Sequence, residues 1–119
     1  FDNKYKTLNE LALLKISSDK LTKKEEIYEY DFNKDGIKEK LILKQTEDEY
    51  VYSIHYGNQV ITDGTYGFRV YVVDLDENDN YLDLILSEIS DGGEFTTYNI
   101  YKNNGTSLEK LKTIFDIIE

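Results

Sequence analysis

The sequence predicts a mainly β domain: one short N-terminal helix, then two antiparallel meander repeats packed as a small sandwich-like unit. Three observations predict it. Short apolar stretches alternate with polar residues and are joined by short connections, the pattern of antiparallel strands. Two Asp/Asn-rich loops begin at Asp31 and Asp74, 43 residues apart, and each lies between two apolar stretches. The length of 119 residues suits one domain with a modest core.

The helix is expected over Thr7 to Ile16. Thr7 and Glu10 have the spacing of a capping box, and Leu8, Leu11 and Leu14 recur on one helical face. The plain apolar run from Leu11 to Leu14 also admits a buried strand. Ser17 to Glu26 is polar and reads as a connector, so residues 1–24 form an N-terminal helix and linker. The first repeat takes residues 25–73. Its strands are Glu25 to Asp31, with Ile27 opposed to Tyr28 and Tyr30, then Glu39 to Gln45, Tyr50 to Tyr56, Gln59 to Thr62 and Phe68 to Val73. Gly57-Asn58 and Asp63-Gly64 read as turns.

The second repeat takes residues 74–119. Leu84 to Leu86 and Phe95 to Lys102 read as strands, with Asp91-Gly92-Gly93 as the turn between them. Asn104-Gly105 is a strong hairpin signal. Ser107 to Phe115 then reads as the return strand, although Leu108, Leu111, Ile114, Phe115 and Ile118 also fit a helix.

Composition excludes more than it identifies. The net charge is −10 and Arg69 is the only arginine, so no basic patch for nucleic acid and no arginine clamp for phosphate is expected. An acidic surface suits divalent cations. No apolar run reaches transmembrane length. Cysteine is absent, so neither disulfides nor redox compartment can be inferred. The chain starts at Phe1 and not at Met, as a mature or trimmed segment would.

The strongest chemical signal is the first loop, Asp31-Phe-Asn-Lys-Asp-Gly-Ile-Lys-Glu39. Asp31, Asn33, Asp35 and Glu39 put side-chain oxygens at positions one, three, five and nine, Gly36 permits a sharp turn, and the Ile37 carbonyl can add a ligand. Calcium takes six to eight such oxygens in flexible geometry. A polar turn that binds nothing draws on the same residues. An EF-hand would close with Glu at position twelve and continue as a helix, but Ile42 stands there within an apolar strand. The second loop is less regular. Asp74, Asp76 and Asn78 hold positions one, three and five, Asp79 replaces the glycine, and Asp83 arrives one residue late.

An Asp-rich loop closed at position nine and running into a strand resembles the FG-GAP/VCBS-type repeats of calcium-binding β-propellers. The resemblance implies blade-like meanders, one bound Ca2+ at the first loop and an extracytoplasmic setting: a secreted, cell-surface or lipoprotein module of bacterial type. Two units cannot close a propeller, so the two sheets are expected to pack on each other. The function expected is then a non-catalytic structural or adhesion-type module, with a protein or glycan as the open partner.

Two other functions compete. Eleven tyrosines and five phenylalanines offer flat faces for a carbohydrate-binding module, with Tyr50, Tyr52 and Tyr56 on one strand face and Tyr66, Phe68 and Tyr71 nearby. Strand propensity and core filling explain the same residues. A hydrolase with a paired carboxylate is the third reading. No nucleophile–base motif is legible, and His55, the only histidine, has no recognisable partner in the sequence.

Overall fold

The computed structural model describes residues 8–47, 51–89 and 95–117, apart from the side chains of residues 9, 95 and 115–117. Among the described residues nine strands form two antiparallel sheets: β1 (Leu14–Ser17), β2 (Glu25–Tyr30), β3 (Glu39–Gln45), β4 (Tyr52–Tyr56), β5 (Gln59–Thr65), β6 (Gly67–Val73), β7 (Asp83–Ile89), β8 (Phe95–Asn103) and β9 (Leu108–Ile117). One sheet runs β2-β3-β4-β5, and the other runs β1-β6-β7-β8-β9. The expected mainly β, sandwich-like fold is therefore what the chain adopts.

Alternation builds the core. Leu41 and Leu43 of β3, Ile54 and Tyr56 of β4, Val70 and Val72 of β6, and Leu84 and Leu86 of β7 bury their side chains in one cluster. Tyr52 of one sheet meets Phe68 of the other edge-to-face, with ring centroids 5.7 Å apart. At the margin, the Gln59 side chain bonds both backbone groups of Leu108, donating to its carbonyl at 2.6 Å and accepting from its N–H at 2.9 Å.

The expected helix over Thr7 to Ile16 is corrected. Among the described residues the helical part is one turn, α1 (Leu8–Leu11), and Thr7 lies outside them. Leu14–Ser17 is a strand paired with the edge of β6, Leu14 against Val72 and Ile16 against Val70. A four-residue turn has few hydrogen bonds of its own. Burying Ile16 against the sheet core outweighs a weak local preference. The helical turn instead lays Leu8 and Ala12 over Tyr71, Val73 and Ile85, on the outer face of the five-stranded sheet.

Two further boundaries move. Asp63-Gly64 is not a turn: it lies inside β5, where one extra residue separates Thr62 from Thr65 against Ile54 and Tyr52 of β4. Such a bulge bends a strand without ending it. β6 belongs with β7, so the second repeat opens at Gly67 and not at Asp74. Each repeat is then a four-strand meander, β2 to β5 and β6 to β9, whose Asp-rich loop joins its first strand to its second. The return strand expected over Ser107 to Phe115 is a strand and not a helix, β9, which begins at Leu108. The Asp91-Gly92-Gly93 turn and Tyr50 lie outside the described residues.

Candidate metal centre

Both Asp-rich loops and the β8–β9 turn gather at one end of the sandwich. Phe32, at the second position of the first loop, is fully buried and anchors it, with Tyr56 at 5.0 Å and Tyr30 at 5.8 Å edge-to-face. The Phe32 carbonyl accepts the Leu82 N–H from the second loop at 2.7 Å. Asn103 donates from Nδ2 to Asn33 Oδ1 at 2.9 Å, tying in the β8–β9 turn. Lys34 reaches from the first loop to Asp74 Oδ2 of the second at 3.2 Å.

The first loop closes on its own amides. Asp31 accepts from Asp35 N–H at 3.2 Å and from Gly36 N–H at 2.8 Å, one on each oxygen. Asp35 Oδ1 accepts from Ile37 N–H at 2.9 Å, and Glu39 Oε1 from Phe32 N–H at 2.9 Å. Gly36 sits at φ 87°, where a side chain would be strained, so its place in the motif has a backbone cause. Partial desolvation pushes the Asp31 carboxyl up, but the Gly36 and Asp35 amides outweigh it and hold the group below the usual carboxylate range. Burial, then the charges of Glu39 and Asp35, push the Tyr56 hydroxyl well above its ordinary value.

The second loop is organised around a lysine. Asp83 is fully buried; Oδ2 accepts from Leu75 N–H at 3.1 Å, and Oδ1 from Asn103 N–H at 2.9 Å and from Lys102 Nζ at 3.4 Å. Lys102 also donates to Asp79 Oδ2 in a close ion pair. Asp79 Oδ1 accepts from Tyr81 N–H at 3.0 Å, and Asp76 Oδ1 from Asn78 N–H at 2.9 Å. The Lys102 bond lowers the Asp79 pKa, and the Asp79 bond raises that of Lys102.

The two loops correspond when counted back from their closing carboxylates. Glu39 and Asp83 each bond the N–H of the loop's second residue, Phe32 and Leu75. Asp35 and Asp79 each stand four residues earlier and each accept the amide two residues on. The second loop therefore has its extra residue before Asp79. Asp79, not Asn78, matches Asp35, and Asp83 is not displaced but is the counterpart of Glu39. Counting forward from Asp74 hid this, and Lys102 carried no signal in the loop at all.

The two loops differ in their cation. Asp83 is followed in register by Leu84 opposite Tyr101, which sets Asp83 against Lys102. An ammonium thus bonds both Asp79 and Asp83. In the first repeat, the matching Asp35 and Glu39 form no ion pair among the described residues.

Among the described residues, no three His, Cys, Asp or Glu side chains form a group that could hold a metal ion. The donor chemistry of the first loop still fits calcium. An oxygen that accepts one amide keeps a second lone pair, and Asp35 Oδ2 and Glu39 Oε2 accept no hydrogen bond among the described residues. Of the residues expected to ligate, Asp31, Asp35 and Glu39 lie in this one loop. Asn33 Oδ1 is engaged by Asn103, and the Ile37 side chain is exposed. Asp74, Asp76 and Asn78 have other work: Asp74 pairs with Lys34, and the Asp76 side chain caps the Asn78 amide.

The competing sites look different in space. Tyr56 and Tyr71 are buried and Tyr52 packs on the core, so the tyrosine face of β4 lies inside the sandwich. His55 does have a partner, Ser53 Oγ at 3.0 Å from Nε2, on the outer face of the four-stranded sheet. No helix among the described residues is long and apolar enough to cross a membrane. The chain matches no protein-family model, and neither a curated protein nor a solved structure matches it at a significant level.

The Lys102 pair makes stability depend on pH at both ends. Asp79 has a folded pKa below its reference of 3.8, so its contribution is present above that value and is lost as pH falls through the folded pKa. Lys102 has a folded pKa above 10.5, so its contribution is full below that value and is lost as pH rises through the folded pKa. Urea midpoints measured across pH should fall at both limits, and Lys102→Met should flatten both slopes. Unchanged slopes in that variant would assign the pH response to other groups.

Proposed function

We propose that this chain is a calcium-dependent structural or adhesion-type module, non-catalytic and extracytoplasmic, with one calcium site at the first Asp-rich loop. One observation carries the reading. The second repeat holds a cation, the Lys102 ammonium, between Asp79 and Asp83, and the first repeat keeps the matching Asp35 and Glu39, which form no ion pair among the described residues. The second loop carries its own cation; the first takes one from solution.

Asp35 and Glu39 would hold calcium, with Asp31, Asn33, the Ile37 carbonyl and water as the further oxygens. The ion supplies positive charge to three carboxylates that otherwise repel one another within nine residues. Its effect is to tighten the loop that Phe32 anchors to the core. This agrees with the resemblance to FG-GAP/VCBS repeats and with an external setting, where calcium is abundant enough for weak sites. The inward tyrosines of β4 give no support to a glycan platform.

Calorimetric titration of chelated protein tests the reading. One calcium per chain is expected, with a dissociation constant on the order of 10⁻⁴ to 10⁻³ M, as in extracellular modules. Asp35→Asn should remove the binding heat, while Asp76→Ala should leave it. Absence of binding at millimolar calcium would reduce the first loop to a turn.

A further inference from the structure

We propose that the hollow on the open side of the sandwich, between β2 and the segment leading into β1, binds a small zwitterion with an apolar body, of the amino-acid or dipeptide class. The hollow has a volume of about 530 Å³, within the range of small-molecule sites. β2 and β1 are edge strands of the two sheets, so the hollow opens where the sandwich is not closed by a further strand.

Its apolar wall is Leu13, Tyr30 and Leu82. Backbone bonds and core packing fix all three. Leu13 N–H donates to the Val72 carbonyl at 2.7 Å, which holds Leu13 beside the end of β6. Leu82 N–H donates to the Phe32 carbonyl, and Tyr30 packs edge-to-face on the Phe32 ring. A wall already in place loses little freedom when a ligand enters. Leu13 is 54% exposed, apolar surface that a ligand side chain would take out of water.

Charged side chains of both signs reach the same hollow, and some are already engaged. Asp31 accepts the Asp35 and Gly36 amides, and Lys34 pairs with Asp74 Oδ2. One cation and two acceptors are left. Lys38 and Glu29 are exposed and form no ion pair among the described residues. Asp74 Oδ1 is shut off from solvent and accepts no hydrogen bond. A buried acceptor without a donor is unfavourable, and an entering donor relieves it. The Asp74 side chain as a whole is 26% exposed, so a turn of its carboxylate brings that oxygen to the hollow. The matching ligand carries an ammonium for Asp74 and Glu29, a carboxylate for Lys38 and an apolar body for the wall. A simple anion would meet the carboxylates, and a simple cation would leave Lys38 without a counter-charge. Calcium is not among the ligand's partners, so the site stands apart from the calcium reading although Lys34 and Lys38 belong to the same loop.

Titrating the isotope-labelled chain with leucyl-leucine, with chelator present, and following its amide chemical shifts tests the proposal. Saturable shifts are expected at Leu13, Tyr30, Lys38 and Leu82, while the amides around His55, on the outer face of the four-stranded sheet, stay in place. N-acetyl-leucyl-leucine lacks the ammonium and leucyl-leucinamide lacks the carboxylate. Each should bind about tenfold more weakly, since a charge-assisted hydrogen bond is lost. Lys38→Gln should weaken leucyl-leucine by a similar factor and leave leucyl-leucinamide unchanged. Glu29→Gln should weaken leucyl-leucine and leave the N-acetyl peptide unchanged. Both positions are exposed, so neither change disturbs the core, and the amide spectrum of each variant checks its folding. Diglycine, which has no apolar side chain, should give no saturable shift. No saturable shift with leucyl-leucine, equal binding of the free and both blocked peptides, or shifts confined to other parts of the chain would each overturn the proposal.

Discussion

Replacing Asp83 with alanine should cost more stability than any other single change at the loop end. Asp83 is fully buried and serves three donors at once: the Leu75 and Asn103 amides and the Lys102 ammonium. Removing its carboxylate leaves the Leu75 and Asn103 amides without their acceptor, at about 1–3 kcal/mol each, and takes from Lys102 one of its two carboxylates, with Asp79 remaining. For a domain of this size the melting point should fall by about 10–20 °C. Asp83→Asn keeps the shape and one acceptor oxygen, so its loss should be smaller. Thermal melting of the two variants at neutral pH checks the order. Equal and small losses would mean that Lys102 and the two amides find other partners.

Phe32→Ala should be the next most damaging. Phe32 has no exposed surface and fills the space between Tyr30 and Tyr56. Truncating a buried phenylalanine costs about 3–5 kcal/mol through lost transfer energy and the cavity left behind. The loop should suffer beyond that figure's usual meaning, because the Phe32 backbone bonds both Glu39 and Leu82. Urea unfolding measures the stability loss, and amide exchange at Asp35 and Gly36 measures the loosening. Lost stability with unchanged exchange at those two amides would separate the core from the loop.

Much of this fold is legible in the sequence because its strands are half buried. β3 shows it: Leu41 and Leu43 point inward and Lys40, Ile42 and Lys44 outward, so period-two alternation marks its span, Glu39–Gln45, correctly. The errors fall where long-range pairing decides. Nothing local to Leu14–Ser17 says that the edge of β6 is free to take a strand. Nothing local to Asp63-Gly64 says that β4 continues beside it, so a bulge looks like a turn. The assignment of β6 to the second sheet has the same cause.

The candidate site divides the same way. The first loop is legible because its spacing, its glycine and the strand after it are contiguous. The second loop is misread by one residue, since an insertion before Asp79 shifts a forward count. Lys102 is invisible from the loop sequence: it lies on β8, and only the β7–β8 register brings it to Asp83. The contrast between the lysine-paired Asp79 and Asp83 and the first loop's Asp35 and Glu39, which form no ion pair among the described residues, therefore had to come from the structure, and it is what turns a ligand-like spacing into a specific expectation.

That expectation is tested most directly by thermal melting against calcium, after thorough chelation, for the unmutated chain and for Asp35→Asn. At about ten times the dissociation constant, linkage adds about 1.4 kcal/mol to the stability of the unmutated chain, a rise of several degrees. In Asp35→Asn one of the paired carboxylates is gone, and calcium should then add little. No calcium-dependent shift in the unmutated chain, or the same shift in both, would contradict the account.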